Sequence, residues 1–191
     1  TIADGSVTVD EAIQELFLKI RENLKLRRFE VVEVTSVSYI HAGGSVGVLV
    51  TFETDAADKA EFVEMGKNVA MQVAALNPRF WDKSQVTQDV IDEEKKIMMA
   101  QMADDPKMAS KPEKVRENIV LGKLGKFYSE NCLLQQDFVK DGSVTVEQHM
   151  KGVAKELGGT VEFVDAVRFE KGEGIEKRVD DLAAEVAKMV K

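Results

Sequence analysis

Residues 31–52 read VVEVTSVSYI-HAGG-SVGVLVTF, and the architecture turns on how they fold. Two runs rich in Val, Thr, Tyr and Phe flank the four residues His41-Ala42-Gly43-Gly44. In the second run Val46, Val48, Val50 and Phe52 alternate with other residues, the mark of a strand with one buried face. Two successive glycines supply the positive φ angles that a tight hairpin needs. The expected unit is a rigid two-stranded ribbon with one imidazole, His41, at its tip.

Working outward, the ribbon needs a cover. Downstream, Thr54 to Asp58 turns into a helix whose Phe62, Val69, Val73 and Leu76 share a face, with Gly66 on the same line admitting a close neighbour. Asn77-Pro78 ends it, because the residue before proline is pushed out of the helical region. Upstream, Thr8 to Leu24 carries a helical stripe opened by the capping box Thr8-x-x-Glu11.

Beyond the cover, residues 86–103 and 112–128 read as two charge-rich helices joined through Pro106 and Pro112, with Ser110 and Glu113 as a further cap. A short joint favours antiparallel neighbours, so a helical hairpin is expected. Ile91, Met98 and Met102 line one helix and Val120, Leu124 and Phe127 the other. A helix from Val146 to about Leu157 follows, capped by Thr145 and Gln148 and stopped by Gly158-Gly159. Thr160 to Phe169 is a third strand, with Val161, Phe163, Val167 and Phe169 assigned to one face, and Ile175 to Val190 a last amphipathic helix. The fold class is α+β: a three-stranded antiparallel sheet packed with helices, an inserted antiparallel helical hairpin and a C-terminal helix. Glu22-Asn23-Leu24 and Glu130-Asn131-Cys132 echo each other too briefly to establish a duplication.

The composition, 44% hydrophobic and 31% charged, is that of an ordinary soluble chain with length enough for a real core. No apolar run spans a membrane and no basic, apolar leader opens the chain, although its first residue is Thr1. One cysteine, Cys132, excludes an internal disulfide, fits a reducing compartment and reads as core filler. A net charge of −8 without a long basic run argues against direct nucleic-acid binding and for a protein partner.

No catalytic, metal-binding or cofactor-binding set emerges. His41 and His149 are the only histidines and lack Cys or His partners at ligand spacing; His149 reads as a solvated helix residue. Ala42-Gly43-Gly44-Ser45-Val46-Gly47 resembles a phosphate loop only superficially, because a strand rather than a helix follows and no Lys-Ser or Lys-Thr is present. No serine lies in a G-x-S-x-G setting. An enzyme with His41 as general base would need a second catalytic group that the sequence does not supply. The chain is expected not to be an enzyme.

Several stretches jointly resemble the bacterial elongation factor Ts family. They include Glu22-Asn23-Leu24-x-Leu26-Arg27-Arg28-Phe29, Ser38-Tyr39-Ile40-His41-x-Gly43, Gly47-Val48-Leu49-Val50 and residues 69–75, VAMQVAA. Lys111-Pro112-Glu113-Lys114, Gly122-Lys123-Leu124, Leu134-x-Gln136-x-Phe138-Val139 and residues 168–176, RFEKGEGIE, extend the match in family order. The resemblance implies a cytoplasmic guanine-nucleotide exchange factor that promotes GDP release from the GTPase elongation factor Tu by stabilising its nucleotide-free state. It also implies a division of the chain. Residues 1–36 would be a remnant of an N-terminal core subdomain, and 37–83 and 131–173 the two parts of a C-terminal core subdomain. Residues 84–130 would be a coiled-coil insertion able to support a homodimer, and 174–191 a C-terminal module.

Matched motif by motif, the resemblance makes His41, Ile20, Arg21, Val139 and Met189 partner-contacting residues. Ile20, Val139 and Met189 equally fit apolar stripes, so burial within this chain is the alternative. The family's N-terminal helical domain and its Thr-Asp-Phe-Val segment find no counterpart: in Glu53-Thr54-Asp55, Ala56 stands where the phenylalanine would be. A truncated form with weakened exchange is therefore expected. The rival expectation is a helical-hairpin dimerisation module without exchange activity.

Overall fold

The structure is a computed structural model that describes residues 5–175. The chain divides into two compact units, Thr1–Glu33 and Val34–Lys191. The expected C-terminal helix and Met189 lie outside the described residues.

In the first unit, α1 spans Val9–Ile20. Thr8 accepts from the Glu11 amide and the Glu11 carboxylate accepts from Thr8, the reciprocal cap that the sequence predicts. The helix stops short of Leu24, because Arg21 turns left-handed, at φ 60°, and donates its amide N–H to Phe17.

In the second unit, β1 (Ser36–His41) and β2 (Val46–Thr54) form the antiparallel hairpin, and β5 (Val161–Glu170) pairs with the other edge of β2. Val46, Val48, Val50 and Phe52 are all buried, as their alternation predicts. The first strand is shorter than the sequence suggests. Its ladder with β2 ends at Ser36↔Thr51 and the Phe52 N–H bond to the Thr35 carbonyl. Among the described residues the β-rich stretch before it has no strand partner, and propensity alone makes no strand.

Helix α2 (Ala60–Leu76) covers the hairpin. A Cβ built on Gly66 would lie 2.6 Å from Val37 Cγ2, so glycine sets how closely helix and sheet approach. Asn77 ends α2 in the left-handed region, at φ 44°. Phe52 meets Phe62 and Phe163 edge-on, at centroid distances of 5.3 and 6.2 Å.

Strand β5 departs from the expected pattern. Thr51 pairs with Asp165 but Phe52 with Phe163, leaving Val164 as an extra residue. This bulge flips the side-chain alternation. The core row of β2 therefore meets Phe163, Ala166 and Arg168, whereas Val167 and Phe169 share the opposite face with Leu49 and Gly47. The assignment of Val161, Phe163, Val167 and Phe169 to one face is corrected accordingly.

The helical hairpin comprises α3 (Gln88–Asp104), a single turn α4 (Pro106–Ala109) and α5 (Glu113–Asn131). Val120, Leu124, Phe127 and Met102 are buried along it. Ser110 does not cap α5, which begins after Pro112 without a side-chain cap; instead Asp105 caps α4 through the Lys107 amide. A short two-stranded sheet, β3 (Asp137–Phe138) with β4 (Asp141–Thr145), leads into α6 (Val146–Leu157). That helix starts at Thr145, whose hydroxyl accepts from the Gln148 amide, and ends at Gly158 with φ 64°.

Candidate functional site

His41 is the last residue of β1, paired with Val46, rather than part of the connecting turn. The turn itself is a 3₁₀ turn, Ala42–Gly44, in which all three residues have positive φ. The Ser45 amide donates to the His41 carbonyl at 3.1 Å, holding the strand end. Tyr39, two residues earlier on the same face, places its hydroxyl 3.0 Å from His41 Nδ1. The Tyr39 ring packs against the core, while His41 is exposed.

The rows of the sheet locate this end of the hairpin. Val37 lies over Gly66 in the middle of α2. In the next row, Tyr39, Val48 and Arg168 are paired side by side, and Arg168 Nη2 donates to the Ala74 carbonyl in the last turn of α2. The row of His41, Val46 and Glu170 follows, beyond that turn.

Val139 comes to the same end of α2. Its backbone N–H donates to Gln72 Oε1 at 2.9 Å, and Gln72 Nε2 donates to Gln136 Oε1 and to the Asp137 carbonyl. Gln136 in turn donates to the Glu130 carbonyl. Both glutamines are buried and satisfied, which keeps the cost of burying them low. Phe138 is buried at the end of β3, whereas Val139, in the turn that follows, is 45% exposed. Leu76, one turn beyond Gln72, is 49% exposed although the helical stripe assigns it to the core. Leu76 is the surface residue that the stripe reading placed in the core.

Ile20 and Arg21 belong to the first unit; Ile20 ends α1 and is 52% exposed, and Arg21 is its left-handed cap. Thus Ile20 and Val139, for which burial was the alternative, both present apolar surface.

Other groups are committed to structure. His149 is not a solvated helix residue: its ring stacks on Phe138 at 4.1 Å, and burial lowers its pKa, with Lys140 adding to the effect. Cys132 is fully buried; desolvation first, and the Asp82 charge second, push its thiol up to about 11. Burial works against ionisation of Asp82, yet hydrogen bonds from Ser84, Gln135 and Lys83 hold it below the usual carboxylate range. The Asp55 carboxylate accepts from the Thr160 amide at 2.8 Å, and Ala56 is buried. Among the described residues no group of three or more His, Cys, Asp and Glu side chains could hold a metal ion. No described helix is long and apolar enough to cross a membrane. The end of α2 offers apolar surface and one imidazole, a chemistry of contact.

Comparison with known proteins gives this surface a context. A family model described as Elongation factor TS matches residues 1–173. A curated protein from Clostridium kluyveri, named Elongation factor Ts, is 43% identical over 99% of this chain and 61% of its own length. Proteins of the same name from Type A and Type F strains of Clostridium botulinum are 42% identical with the same coverage. The chain spans 61% of the length of these relatives.

Proposed function

Because the chain belongs to the elongation factor Ts family, we propose that it is a cytoplasmic guanine-nucleotide exchange factor whose partner is the GTPase elongation factor Tu. Family membership over residues 1–173 carries this reading. Exchange of this kind is differential binding: a factor that prefers the nucleotide-free conformation weakens bound GDP by the same coupling free energy, typically about 1–3 kcal/mol per coupled pair of sites. No covalent bond is made or broken, so the protein acts as a binding partner rather than as an enzyme, without a cofactor of its own. His41, Val139 and Leu76 at the end of α2 contact the partner, as do Ile20 and Arg21 in the first unit. The partner is a protein, and neither nucleic acid nor a membrane is bound directly.

Exchange by this chain is weak. The segment closest to a Thr-Asp-Phe-Val motif has Ala56 buried and Asp55 tied to Thr160, so it is not free to enter a partner's nucleotide site. Release of a fluorescent GDP analogue from elongation factor Tu, with the chain in excess, tests the reading. Release faster than the spontaneous rate, slower than with the longer Clostridium kluyveri relative and reduced by His41→Ala, is expected. The absence of both binding and acceleration would overturn it.

A second reading, self-association through residues 84–130, is favoured by one observation. Leu121 is exposed beside a groove of about 350 Å³ lined by Met99, Val120 and the stems of Lys95 and Glu117. A dimer in sedimentation equilibrium that dissociates on Leu121→Glu would support it; a monomer at all concentrations would reject it.

A further inference from the structure

The geometry points to Tyr39 as a positioning residue that holds the His41 ring with Nε2–H outward, so that His41 offers its partner a hydrogen-bond donor. This inference rests on the proposed contact role of His41 and goes beyond it by assigning the chemistry of the contact.

Three observations carry it. First, Tyr39 and His41 are two residues apart on one strand face, with the phenol oxygen 3.0 Å from Nδ1 and the rings tilted by 36° at 5.8 Å. Second, the Tyr39 ring packs against the hydrophobic core opposite Val48, so the hydroxyl is a fixed reference rather than a mobile surface group. Third, the backbone at His41 is itself fixed, by pairing with Val46 and by the Ser45 bond to its carbonyl. Rotation of the imidazole is what remains, and the Tyr39 bond stops it.

The direction of that bond decides the tautomer. A neutral imidazole has one donor and one acceptor nitrogen, and a phenol can play either part. The phenol is the more acidic group and the imine nitrogen the more basic, so Tyr39 O–H donates to Nδ1 and the ring proton sits on Nε2. Protonating the ring puts a proton on Nδ1 as well and leaves Nε2–H in place, with Tyr39 now accepting. The outward nitrogen is a donor in both states. It matches an acceptor on the partner: a backbone carbonyl, a carboxylate or an amide oxygen. An exposed histidine without such a clamp would interchange tautomers and rotamers before each encounter, and its contact would cost that freedom.

Two measurements on the full chain test this. In the two-bond ¹H–¹⁵N correlation spectrum of the neutral ring, His41 is expected to show the Nε2–H pattern with Nδ1 as a hydrogen-bonded acceptor. Tyr39→Phe, which keeps the packing ring, is expected to shift the Nδ1 resonance and mix the tautomers. A wild-type proton on Nδ1, or a spectrum unchanged by Tyr39→Phe, would overturn the positioning role whatever elongation factor Tu does. The second measurement is GDP release with His41 variants. Glutamine places an amide N–H₂ near Nε2 and asparagine near Nδ1, so His41→Gln is expected to lose less exchange than His41→Asn, which loses about three- to tenfold, the range of one hydrogen bond. Tyr39→Phe should fall between them. Equal loss in the Gln and Asn variants would refute the donor role. Exchange unaffected by His41→Ala, with the spectral shift intact, would instead remove the contact role of His41 and leave the clamp standing.

Discussion

The ring of His149 lies flat on Phe138, 12° from parallel, with Nε2 buried and without a partner among the described residues. Charging it there forfeits hydration, and the nearby carboxylates Asp141, Glu156 and Glu64 only partly offset burial and Lys140. Its pKa is therefore lower folded than unfolded, so the unfolded chain binds the proton first. Stability is complete above the ordinary value of 6.5 and declines as pH falls below it toward the folded value. Urea melts on either side of 6.5 should show that decline, and His149→Phe, which keeps a stacking ring, should abolish it. Carboxylates such as Asp82 act at lower pH, nearer 3.8, so the two effects separate. Cys132 makes the complementary prediction: buried and raised to about 11, it should resist a thiol reagent in the native chain and react once urea exposes it. Its apolar neighbours in sequence made that burial legible. The stacking of His149 was not, because Phe138 belongs to β3 and His149 to α6, and nothing in the intervening residues announces the contact.

At the scale of elements, α2 and the hairpin approach closely at Gly66. Replacing Gly66 by Ala would gain about 1 kcal/mol in helix propensity. Against this, the new Cβ meets Val37 Cγ2 at 2.6 Å and Val37 Cβ at 2.9 Å, on a strand that cannot yield without breaking its ladder with β2. Overpacking of this kind costs about 1–3 kcal/mol, so net destabilisation is expected, read as a lower urea midpoint. A net gain in stability would show that the sheet can move. The glycine was visible in the sequence because it interrupts an apolar stripe at helical spacing, which makes sense only if another backbone comes close. The bulge at Val164 left no comparable trace, since it arises from the pairing of β5 with β2, two strands far apart in the chain.

Across the second unit, Gln72 ties α2 to the residues that follow α5, through Gln136, the Asp137 carbonyl and the Val139 amide. Gln72→Leu conserves size but strands two acceptors, Gln136 Oε1 and the Asp137 carbonyl, and one donor, the Val139 amide, each worth about 1–3 kcal/mol where it stays buried. The expected result is a loss of stability together with weaker acceleration of GDP release, as Val139 loses its anchor; release rates kept in proportion to the folded fraction would limit Gln72 to stability. Much of the architecture could be read from residues close in sequence. Alternating valines define β2, reciprocal caps at Thr8 and Thr145 define helix starts, and Gly158 defines a helix end, because each depends on interactions spanning a few residues. His41 could be singled out at the end of the hairpin, Val139 only through family motifs, and the environment of neither was legible. Their shared position at one end of α2, the exposure of Leu76 and the clamp from Tyr39 depend on how α2 packs on the sheet and on how β5 registers against β2. Those are properties of packing between distant segments, which periodicity and capping, being local, do not encode.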